Sequence, residues 1–429
     1  MNYQETIDFL FAKLPMFSRI GPIAFKKDLT NIRALCEALG NPQNKFKSVH
    51  IAGTNGKGST SHMLSAILQK SGYKTGLYTS PHLKDFRERI RIDGTMIEKK
   101  FVIEFTDKIA HLIDEIEPSF FEITVAMAFE YFVLNNIDIA VIEVGLGGRF
   151  DSTNIIMPEI SVITNIGWDH MNMLGNTLDK IAFEKAGIIK PNTPLVIGES
   201  RAETSEVFKS RAKEENAPIF FADKIRYADE WKSEKHELFV EVVHSPDNEK
   251  KEFYLDLNGI YQTKNLVTVL ETIHQLSMQG WNISDASTFE ALKNVKKLTG
   301  LHGRWDTIHE HPRIVLDVAH NLDGIKQIRE QLELTNFKGL HIVIGMVKDK
   351  EIAKVLQQLP SQAKYYFTKA QIPRALPESE LAAIAKESGL NGEVFPNVND
   401  ALKEARAHAH KDDLILVCGS VFVVGEVEI

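Results

Sequence analysis

A glycine-rich segment with one lysine and two hydroxyls, HIAGTNGKGST at residues 50–60, carries the clearest chemistry in the sequence. It lies between a predicted strand, KSVHIAG, and a predicted helix, SHMLSAILQKSG, which is the setting of a phosphate-binding loop. The glycines let backbone N–H groups converge on phosphate oxygens, the lysine adds a positive charge, and the hydroxyls reach phosphate or its metal ion. We therefore predict a nucleotide site made by Gly53, Thr54, Asn55, Gly56, Lys57, Gly58, Ser59 and Thr60.

The loop departs from the strict GxxxxGK[ST] pattern. The residue six positions before Lys57 is Ile51, and Gly58 follows the lysine directly. A glycine-rich turn without a ligand is the alternative, and the combination of strand, lysine, hydroxyls and helix argues against it.

A nucleotide site needs hard oxygen ligands for magnesium close to the phosphates. Ser80 ends the predicted strand LYTS, and Glu143 lies in the apolar strand AVIEVG, where an unpaired carboxylate is costly to bury. A core ion pair with an arginine is the alternative role for Glu143. His170 follows the strand ISVITNIG, at the strand ends where α/β sites gather, and a hydrogen-bonded structural histidine is the alternative there.

Short apolar strands alternate with amphipathic helices along most of the chain, which predicts parallel pairing and an open α/β sheet. Residues 225–256 are more charged and contain strand-like ELFVEVV and EFYLDL, so we expect a small antiparallel excursion there. A basic connector, KNVKKLTGLHGRW at 293–305, precedes a second strand–helix series. These features predict two domains, residues 1–296 and 297–429.

Composition limits the classes of protein that are compatible with the sequence. The 429 residues carry 50 basic and 58 acidic side chains, a net charge of −8, so a nucleic-acid or membrane partner is not expected. Two cysteines in no CxxC spacing exclude a disulfide scaffold and a zinc ribbon and fit a reducing compartment.

No segment of the sequence resembles a targeting or membrane-spanning element. The N-terminal segment MNYQETIDFLFAKLPMF carries acidic residues where a signal peptide is basic. The apolar stretch LILVCGSVFVV at 414–424 is shorter than the ~20 residues of a spanning helix. We expect a soluble cytoplasmic protein.

Taken together, the motifs closely resemble those of the folylpolyglutamate synthase/dihydrofolate synthase family, the folate branch of the Mur-ligase superfamily. They occur in order over nearly the whole chain. The motifs are GTNGKGS, YTSPHL (78–83), RERIRIDG (87–94), EVGLGGRFDSTN (143–154), DHMNMLGNTLDKIAFEKAGIIK (169–190), NGIYQTKN (258–265), HGRW (302–305), DVAHN (317–321), GMVKDKE (345–351), PRALPE (373–378) and VCGS (417–420).

The resemblance implies a P-loop ATPase domain with an open, mostly parallel sheet and a smaller C-terminal Rossmann-like α/β domain, with the active site between them. It implies ATP-dependent amide formation through an acyl phosphate, which the amino group of L-glutamate displaces. The expected acceptors are dihydropteroate and tetrahydrofolates. A monomer is expected.

The resemblance also assigns roles to residues that the sequence alone leaves open. Ser80 and Glu143 would hold one Mg²⁺ and His170 the second, so two ions are expected, with a monovalent cation as an optional addition. Lys185 would be carbamylated by CO₂ and, with Lys57 and His170, form the catalytic set. On the nucleotide, the resemblance places Asn265 on the adenine side, Arg304 at phosphate, Asp317 at ribose and His320 close by.

For the acceptor, we expect Phe121 to stack on a pterin ring, Asp151 to bind its amino-pyrimidine edge, and Glu122 to lie beside them. A core aromatic and a helix cap ahead of Ser152 and Thr153 are the alternatives for Phe121 and Asp151.

Three other functions compete with a bifunctional ligase. A dedicated folylpolyglutamate synthase would use tetrahydrofolates alone, although the GLGGRFD segment favours the bifunctional type. A cell-wall Mur ligase is disfavoured, since only ~45 residues precede the loop strand and such ligases have a further N-terminal domain. A nucleotide-gated binding protein would bind ATP without turnover, and the ligase motifs argue against it.

Overall fold

The computed structural model describes residues 1–14, 27–234, 236–348 and 350–428. The end of the N-terminal segment beyond residue 14 and Asp349 of the GMVKDKE motif lie outside the described residues. The described residues form an eight-stranded, a three-stranded and a six-stranded β-sheet, with helices between the strands.

The eight-stranded sheet carries the glycine loop. Its strands are β1 (Lys47–Ala52), β2 (Thr75–Tyr78), β3 (Ile90–Ile92), β4 (Thr95–Met96), β5 (Ile139–Glu143), β6 (Ile160–Ile163), β7 (Leu195–Ile197) and β8 (Ile219–Phe221). Their order is β4-β3-β2-β5-β1-β6-β7-β8, parallel from β2 to β8, with β3 and β4 antiparallel at one edge. Because β1 lies between β5 and β6, the segments that follow these three strands meet at one end of the sheet.

The helices lie on both faces of the sheets and between them. They are α1 (Tyr3–Lys13), α2 (Thr30–Ala38), α3 (Lys57–Lys70), α4 (Lys99–Ile116), α5 (Phe120–Leu134), α6 (Met171–Leu174), α7 (Leu178–Ala186), α8 (Ala202–Glu214), α9 (Ala222–Ile225), α10 (Gln262–Met278), α11 (Asp285–Leu292), α12 (Val295–Thr299), α13 (Leu322–Glu333), α14 (Ile352–Leu356), α15 (Glu378–Glu387), α16 (Val398–His408) and α17 (Val421–Gly425). Short 3₁₀ turns occur at Pro42–Asn44, Phe86–Arg89 and Ser152–Ile155.

Local sequence explains where the helices beside the site begin and which face they bury. Ser119 and Glu122 form a reciprocal capping box at the start of α5. In α4 the buried apolar residues recur every three or four positions, so one stripe packs into the core. Those buried residues are Val102, Phe105, Ile109 and Ile113.

The antiparallel excursion predicted at residues 225–256 is confirmed. Strands β9 (Arg226–Glu234), β10 (Glu237–His244) and β11 (Glu249–Leu255) form an antiparallel sheet in the order β11-β10-β9. Alternate residues of β10 are buried against the core that also contains α3 and α10, so the sheet covers a face of the main body.

The last third of the chain builds the six-stranded sheet. Its strands are β12 (Asp306–Glu310), β13 (Arg313–Leu316), β14 (Leu340–Ile344), β15 (Lys364–Phe367), β16 (Gly392–Val394) and β17 (Leu414–Cys418). The order is β12-β13-β17-β14-β15-β16, parallel apart from β12. The predicted α/β class, with a large mostly parallel sheet and a smaller second one, is confirmed.

Two details of chain organisation refine the predictions from sequence. The predicted boundary between residues 296 and 297 falls inside α12 rather than in a connector, and the six-stranded sheet begins at Asp306. The apolar stretch 414–424 is divided between β17 and α17. Within the ranges that the structure describes, no helix combines the length and apolarity needed to cross a membrane.

Candidate functional site

The carboxyl ends of the central strands open into a cleft of about 1500 Å³ whose lining comes from both large sheets and their connections. Every residue predicted for the site lines this cleft except Thr60. Thr60 is buried in the first turn of α3, and its hydroxyl has no hydrogen-bond partner among the described residues. The structure therefore brings the predicted set together in one place.

Two glycines of the loop occupy positions where a side chain has no room. A Cβ on Gly53 would lie 1.9 Å from Thr164 Oγ1, and one on Gly56 would lie 2.3 Å from Asn265 Oδ1. Gly56 also has a φ of +83° and precedes Lys57, the first residue of α3. No side chain caps this helix, so its first-turn N–H groups are available to an anion.

Two lysines lie against the loop backbone. The Lys57 ammonium donates to the carbonyl oxygens of Gly53 and Thr54, at 3.2 Å each. Lys185 Nζ donates to the same Gly53 carbonyl at 2.7 Å, and its side chain is only 4% exposed. Burial, reinforced by Lys57, lowers the pKa of Lys185 to about 7. Burial therefore favours the uncharged, nucleophilic amine of Lys185 over the ammonium.

Glu143 is the buried carboxylate closest to the loop. It ends β5, is 5% exposed, and accepts a hydrogen bond from the Ser80 backbone N–H at 3.0 Å. Burial raises its pKa, while Lys57, Arg304 and Arg89 act in the opposite direction. A Cβ on Gly58 would lie 3.4 Å from the Arg304 guanidinium and 3.7 Å from Glu143 Oε1, so these two groups flank the helix start.

The oxygen donors of Glu143 and Ser80 suit Mg²⁺ bound together with phosphate better than a metal ion held by protein side chains alone. Among the described residues no cluster of three or more His, Cys, Asp or Glu side chains could hold a metal ion. Mg²⁺ usually keeps several waters and is bound by one or two carboxylates together with substrate phosphates. Glu143 with the neighbouring Ser80, beside an uncapped helix start, matches that donor set.

Asp169, which the sequence reasoning passed over, joins the two large sheets. Its carboxylate accepts hydrogen bonds from Lys350 Nζ, from His320 Nε2 at 3.3 Å and from Asn321 Nδ2 at 3.1 Å. Although burial opposes ionisation, His170, Lys350 and His320 hold the pKa of Asp169 well below its usual value. A buried carboxylate of the first sheet thus binds three residues of the second. We call Asp169, His320, Asn321 and Lys350 the Asp169 cluster.

His170 follows Asp169 and begins α6 with a φ of +49°. Its Nε2 lies 3.8 Å from Asp169 Oδ2, and the residue lines the cleft. His320 was expected near the nucleotide, and the structure places its ring in the Asp169 cluster at the cleft wall.

The loop itself contacts the second sheet through a pair of amides. Asn55 and Asn321 donate to each other's side-chain oxygens, at 3.2 and 3.0 Å. Asn165, also absent from the predicted set, accepts from the backbone N–H groups of Thr54 and Asn55 at 3.0 Å. Asn321 is the last residue of the motif DVAHN and Asn165 lies in the segment ISVITNIG, but only the fold shows what they contact.

Asp317 and its neighbours form another part of the cleft wall. Asp317 is 3% exposed, and its Oδ2 accepts from the Tyr261 hydroxyl at 2.6 Å and from the Trp305 N–H at 2.8 Å. Burial raises its pKa. Asn265 donates to Gln262 Oε1 at 2.8 Å and turns its oxygen toward Gly56. Tyr261 lies in the motif NGIYQTKN, yet nothing in the sequence linked it to Asp317.

The residues predicted to bind the acceptor surround Gly145. A Cβ on Gly145 would lie 2.5 Å from the Phe121 ring and 3.2 Å from Asp151 Oδ2, so glycine lets both approach. Asp151 caps the turn Ser152–Ile155, as its alternative role proposed, and also lines the cleft. Glu122 lines the cleft too, but its carboxylate accepts from the N–H and hydroxyl of Ser119, which makes it a helix cap.

Models of two protein families match the chain. The Mur ligase middle domain matches residues 51–273, and the Mur ligase glutamate ligase domain matches residues 303–421. The first match begins within β1 and covers the other seven strands of the eight-stranded sheet, and the second covers all six strands of the six-stranded sheet.

Individual relatives agree with the family models. A Haloferax volcanii protein described as a probable bifunctional folylpolyglutamate synthase/dihydropteroate synthase is 34% identical over 99% of this chain, which spans 50% of that relative's length. The Bacillus subtilis dihydrofolate synthase/folylpolyglutamate synthase is 31% identical, and the alignment covers 94% of both chains.

A solved structure extends the likeness to the fold. The Yersinia pestis bifunctional folylpolyglutamate synthase/dihydrofolate synthase, complexed with AMPPNP and a Mn ion, has a TM-score of 0.83 and 26% identity, covering 99% of this chain and 97% of its own. The chain therefore belongs to the Mur ligase family and, within it, to the folylpolyglutamate synthase/dihydrofolate synthase group.

Proposed function

We propose that this protein is an ATP-dependent ligase that joins L-glutamate to the carboxylate of a pterin or folate through an acyl phosphate. The reaction would convert dihydropteroate to dihydrofolate and lengthen the glutamyl tail of tetrahydrofolates. The observation that carries the proposal is the single cleft in which the glycine loop, buried Glu143 and Lys185 face Asp151.

The nucleotide would lie at the loop end of the cleft. The uncapped start of α3 and Lys57 would bind the ATP phosphates, and Arg304 would add a second cation beside them. Asn265 would contact the adenine, with Asp317 and His320 nearer the ribose. In the proposed division at residues 296 and 297, Arg304, Asp317 and His320 come from the second domain, so closure of the domains would complete the site.

Ser80 and Glu143 would hold one Mg²⁺, and His170 would contact a second. The Mn ion bound by the Yersinia relative supports a divalent metal at such a site, while the second ion and a monovalent cation are our extension. Bound magnesium neutralises phosphate charge that would otherwise repel an anionic acceptor carboxylate. Glu143 suits this role, because its buried carboxylate accepts a hydrogen bond from a backbone N–H and retains lone pairs.

Lys185 would carry a carbamate. An uncharged lysine amine adds to CO₂ and loses one proton, which converts a neutral amine into an anion. The lowered pKa of Lys185 supports this step, because the free amine is present at neutral pH. Its position on the Gly53 carbonyl would place the new anion beside the phosphate loop.

The acceptor would lie between Phe121 and Asp151. The Phe121 ring at Gly145 would pack on a flat heterocycle, and Asp151 would accept hydrogen bonds from ring N–H groups. Glu122 stays a prediction as an acceptor contact, with a carboxylate already used in the cap of α5.

The test is ADP release with ATP, magnesium and L-glutamate, comparing dihydropteroate with tetrahydrofolate as acceptor. We expect glutamate-dependent stimulation by both. Stimulation by tetrahydrofolate alone would indicate a dedicated folylpolyglutamate synthase. Stimulation by neither would overturn the proposed acceptor and leave another Mur-type amide ligase, or a nucleotide-binding protein without turnover, as the function to examine.

A further inference from the structure

A buried chain of hydrogen bonds lies beneath Asp151. The Thr153 hydroxyl is 2.5 Å from Asp151 Oδ1, and His50 Nε2 is 2.8 Å from the same hydroxyl. His50 and Thr153 are fully buried, and Asp151 is 2% exposed. His50 belongs to β1, immediately before the glycine loop, so this chain links the core of the sheet to the acceptor end of the cleft.

The hydrogen positions in this chain follow from its chemistry. An ionised Asp151 can only accept, so the single Thr153 hydroxyl proton points to it, and the same hydroxyl then accepts from His50 Nε2–H. His50 Nδ1 has no partner among the described residues. Burial, with Lys190, holds the pKa of His50 well below its usual value, so the ring is neutral and only Nε2 is protonated.

The contacts distinguish the two oxygens of Asp151. Oδ1 accepts from both the N–H and the hydroxyl of Thr153, whereas Oδ2 accepts from the Leu146 N–H at 2.8 Å. Burial raises the pKa of Asp151, while the Thr153, Leu146 and Gly145 donors favour its ionised form. Oδ2, with one hydrogen bond from Leu146 against two on Oδ1, is the less occupied of the two oxygens. Gly145 keeps the approach to Oδ2 open, since a Cβ there would lie 3.2 Å away.

Stability alone does not account for this arrangement. The Thr153 N–H already caps the turn on Asp151, so the hydroxyl bond adds nothing that the cap requires. His50 buries its Nδ1 without a partner among the described residues, and this destabilises the folded state. An apolar side chain at position 50 would avoid that cost. A core without the His50–Thr153 hydrogen bond would lose the constraint that these residues place on the orientation of the Asp151 carboxylate.

We propose that His50 and Thr153 are positioning residues of the acceptor site, which orient Asp151 so that Oδ2 accepts an N–H of the acceptor's heterocycle. This inference rests on the proposed function, because the acceptor is the pterin or folate of that reaction. Neither residue touches the substrate. They act through Asp151.

The experiment compares Thr153→Val with Thr153→Ser. The valine variant has the same shape without the hydroxyl, and we expect its KM for dihydropteroate to rise about tenfold while the KM for ATP and kcat stay near wild type. The serine variant keeps the hydroxyl and should restore the acceptor KM. His50→Leu should raise the same KM about threefold, because the Thr153 hydroxyl can still donate, and His50→Gln should restore it.

Thr106→Val controls for the loss of a buried hydroxyl. Thr106 is fully buried in α4, donates to the Val102 carbonyl at 2.8 Å and does not line the cleft. We expect this variant to lose stability without any change in the acceptor KM. Thermal unfolding of all five variants separates loss of fold from loss of orientation.

Equilibrium dialysis measures the binding of dihydropteroate directly. Because this measurement needs no turnover, it separates the positioning role from the proposed function. If the wild-type protein binds dihydropteroate and Thr153→Val binds it equally well, the positioning role is wrong while the proposed function stands. If the valine and serine variants lose affinity alike, the hydroxyl is not the cause and the inference is overturned. If the wild-type protein binds neither dihydropteroate nor tetrahydrofolate, both proposals fail.

Discussion

The two ends of the cleft are built in different ways. The proposed acceptor end consists of Phe121, Gly145 and Asp151, with His50 and Thr153 beneath them, and all five come from the eight-stranded sheet and its connections. Its side chains are held by buried hydrogen bonds between neighbours in that one sheet. None of these five residues belongs to the six-stranded sheet.

The proposed nucleotide end, by contrast, is shared between the sheets. The glycine loop meets the six-stranded sheet through Asn55 and Asn321, and the Asp169 cluster adds a buried ion pair with Lys350. Tyr261, which directly precedes α10, makes a third contact by donating to Asp317, which follows β13. We therefore expect substitutions at the nucleotide end to lower turnover with every acceptor. Substitutions at the acceptor end should change the KM for the acceptor alone.

The largest effect should come from Glu143→Gln. Removing the negative charge of a 5% exposed carboxylate beside the loop takes away the strongest proposed magnesium ligand. We expect kcat to fall about 10³-fold with both acceptors, measured as ADP release over a range of magnesium concentrations. Glu130→Gln is the matched control, because Glu130 is a buried glutamate of α5 paired with Lys108 away from the cleft. A Glu143→Gln protein with wild-type rates at low magnesium would exclude the ligand role.

Lys185→Ala should lower kcat about 10²-fold with both acceptors, because no carbamate can form. Added formate or acetate should restore part of the activity by supplying an anion in the space left by the side chain. Lys180→Ala, an exposed lysine on the same helix, should have no effect. Full activity of Lys185→Ala, or indifference of the variant to these acids, would count against the carbamate.

The pKa of Lys185 also predicts how pH acts on the wild-type protein. Its folded pKa is about 7 and its ordinary value is 10.5, so between these pH values the unfolded chain binds more protons than the folded one. The free energy of unfolding should therefore rise with pH across this window, and the rise should be smaller in Lys185→Met. Urea unfolding at about pH 6 and about pH 9, in CO₂-free buffer so that Lys185 carries no carbamate, checks the sign. An equal or larger rise in Lys185→Met would exclude the shifted pKa.

At the acceptor end, Asp151→Asn should raise the KM for dihydropteroate about 30-fold, because the amide no longer presents a charged acceptor to ring N–H groups. The KM for ATP should change little, since Asp151 touches no residue of the Asp169 cluster in the structure. Initial rates with each substrate varied in turn measure both constants. A parallel loss in both KM values would break the division of the cleft into two independent ends.

Lys350→Met tests the contact between the sheets. The lysine and Asp169 are 7% and 9% exposed, so removing the cation leaves a buried carboxylate with neutral donors from the His170 N–H and Asn321, and with His320. We expect kcat/KM for ATP to fall about tenfold with either acceptor. Lys354→Met is the control, because Lys354 is 61% exposed and its pair with Glu351 lies at the surface. An effect restricted to one acceptor would contradict the shared character of the nucleotide end.

The sequence predicted those parts of the site whose requirement is local. Gly53 and Gly56 are glycines because a Cβ would meet Thr164 or Asn265, and the strand–loop–helix pattern around them is readable without the fold. The Asp169 contacts were missed because they join residues more than 150 positions apart, such as Asp169 and Lys350. Their pairing depends on how two sheets pack, which no local pattern encodes.

The role of Glu122 was also not predicted, although its local sequence indicates it. Ser119 and Glu122 have the spacing of a capping box, which would have assigned Glu122 to the start of α5 before any substrate role. The edge strands β12 and β16 were not predicted, since they are short and mostly polar and their pairing partners are distant in sequence. The carboxyl ends of the central strands, in contrast, were expected to gather the site because parallel strands end together.

We expect the smallest effect from Tyr261→Phe. The variant compares the two ends of the cleft, because the KM for ATP should change while the KM for dihydropteroate should not. The hydroxyl donates to Asp317 Oδ2, which keeps a second donor in the Trp305 N–H, so one hydrogen bond worth about 1 kcal/mol is lost. Losing that donor also raises the pKa of Asp317 further above its usual value, because the tyrosine bond favours the ionised carboxyl. We expect the KM for ATP to rise about threefold, more at lower pH, while the KM for dihydropteroate stays unchanged. Tyr73→Phe, whose hydroxyl accepts from the Asn282 N–H outside the cleft, should leave both constants unaltered. A change in the dihydropteroate KM of Tyr261→Phe would show that the two ends communicate through Asp317.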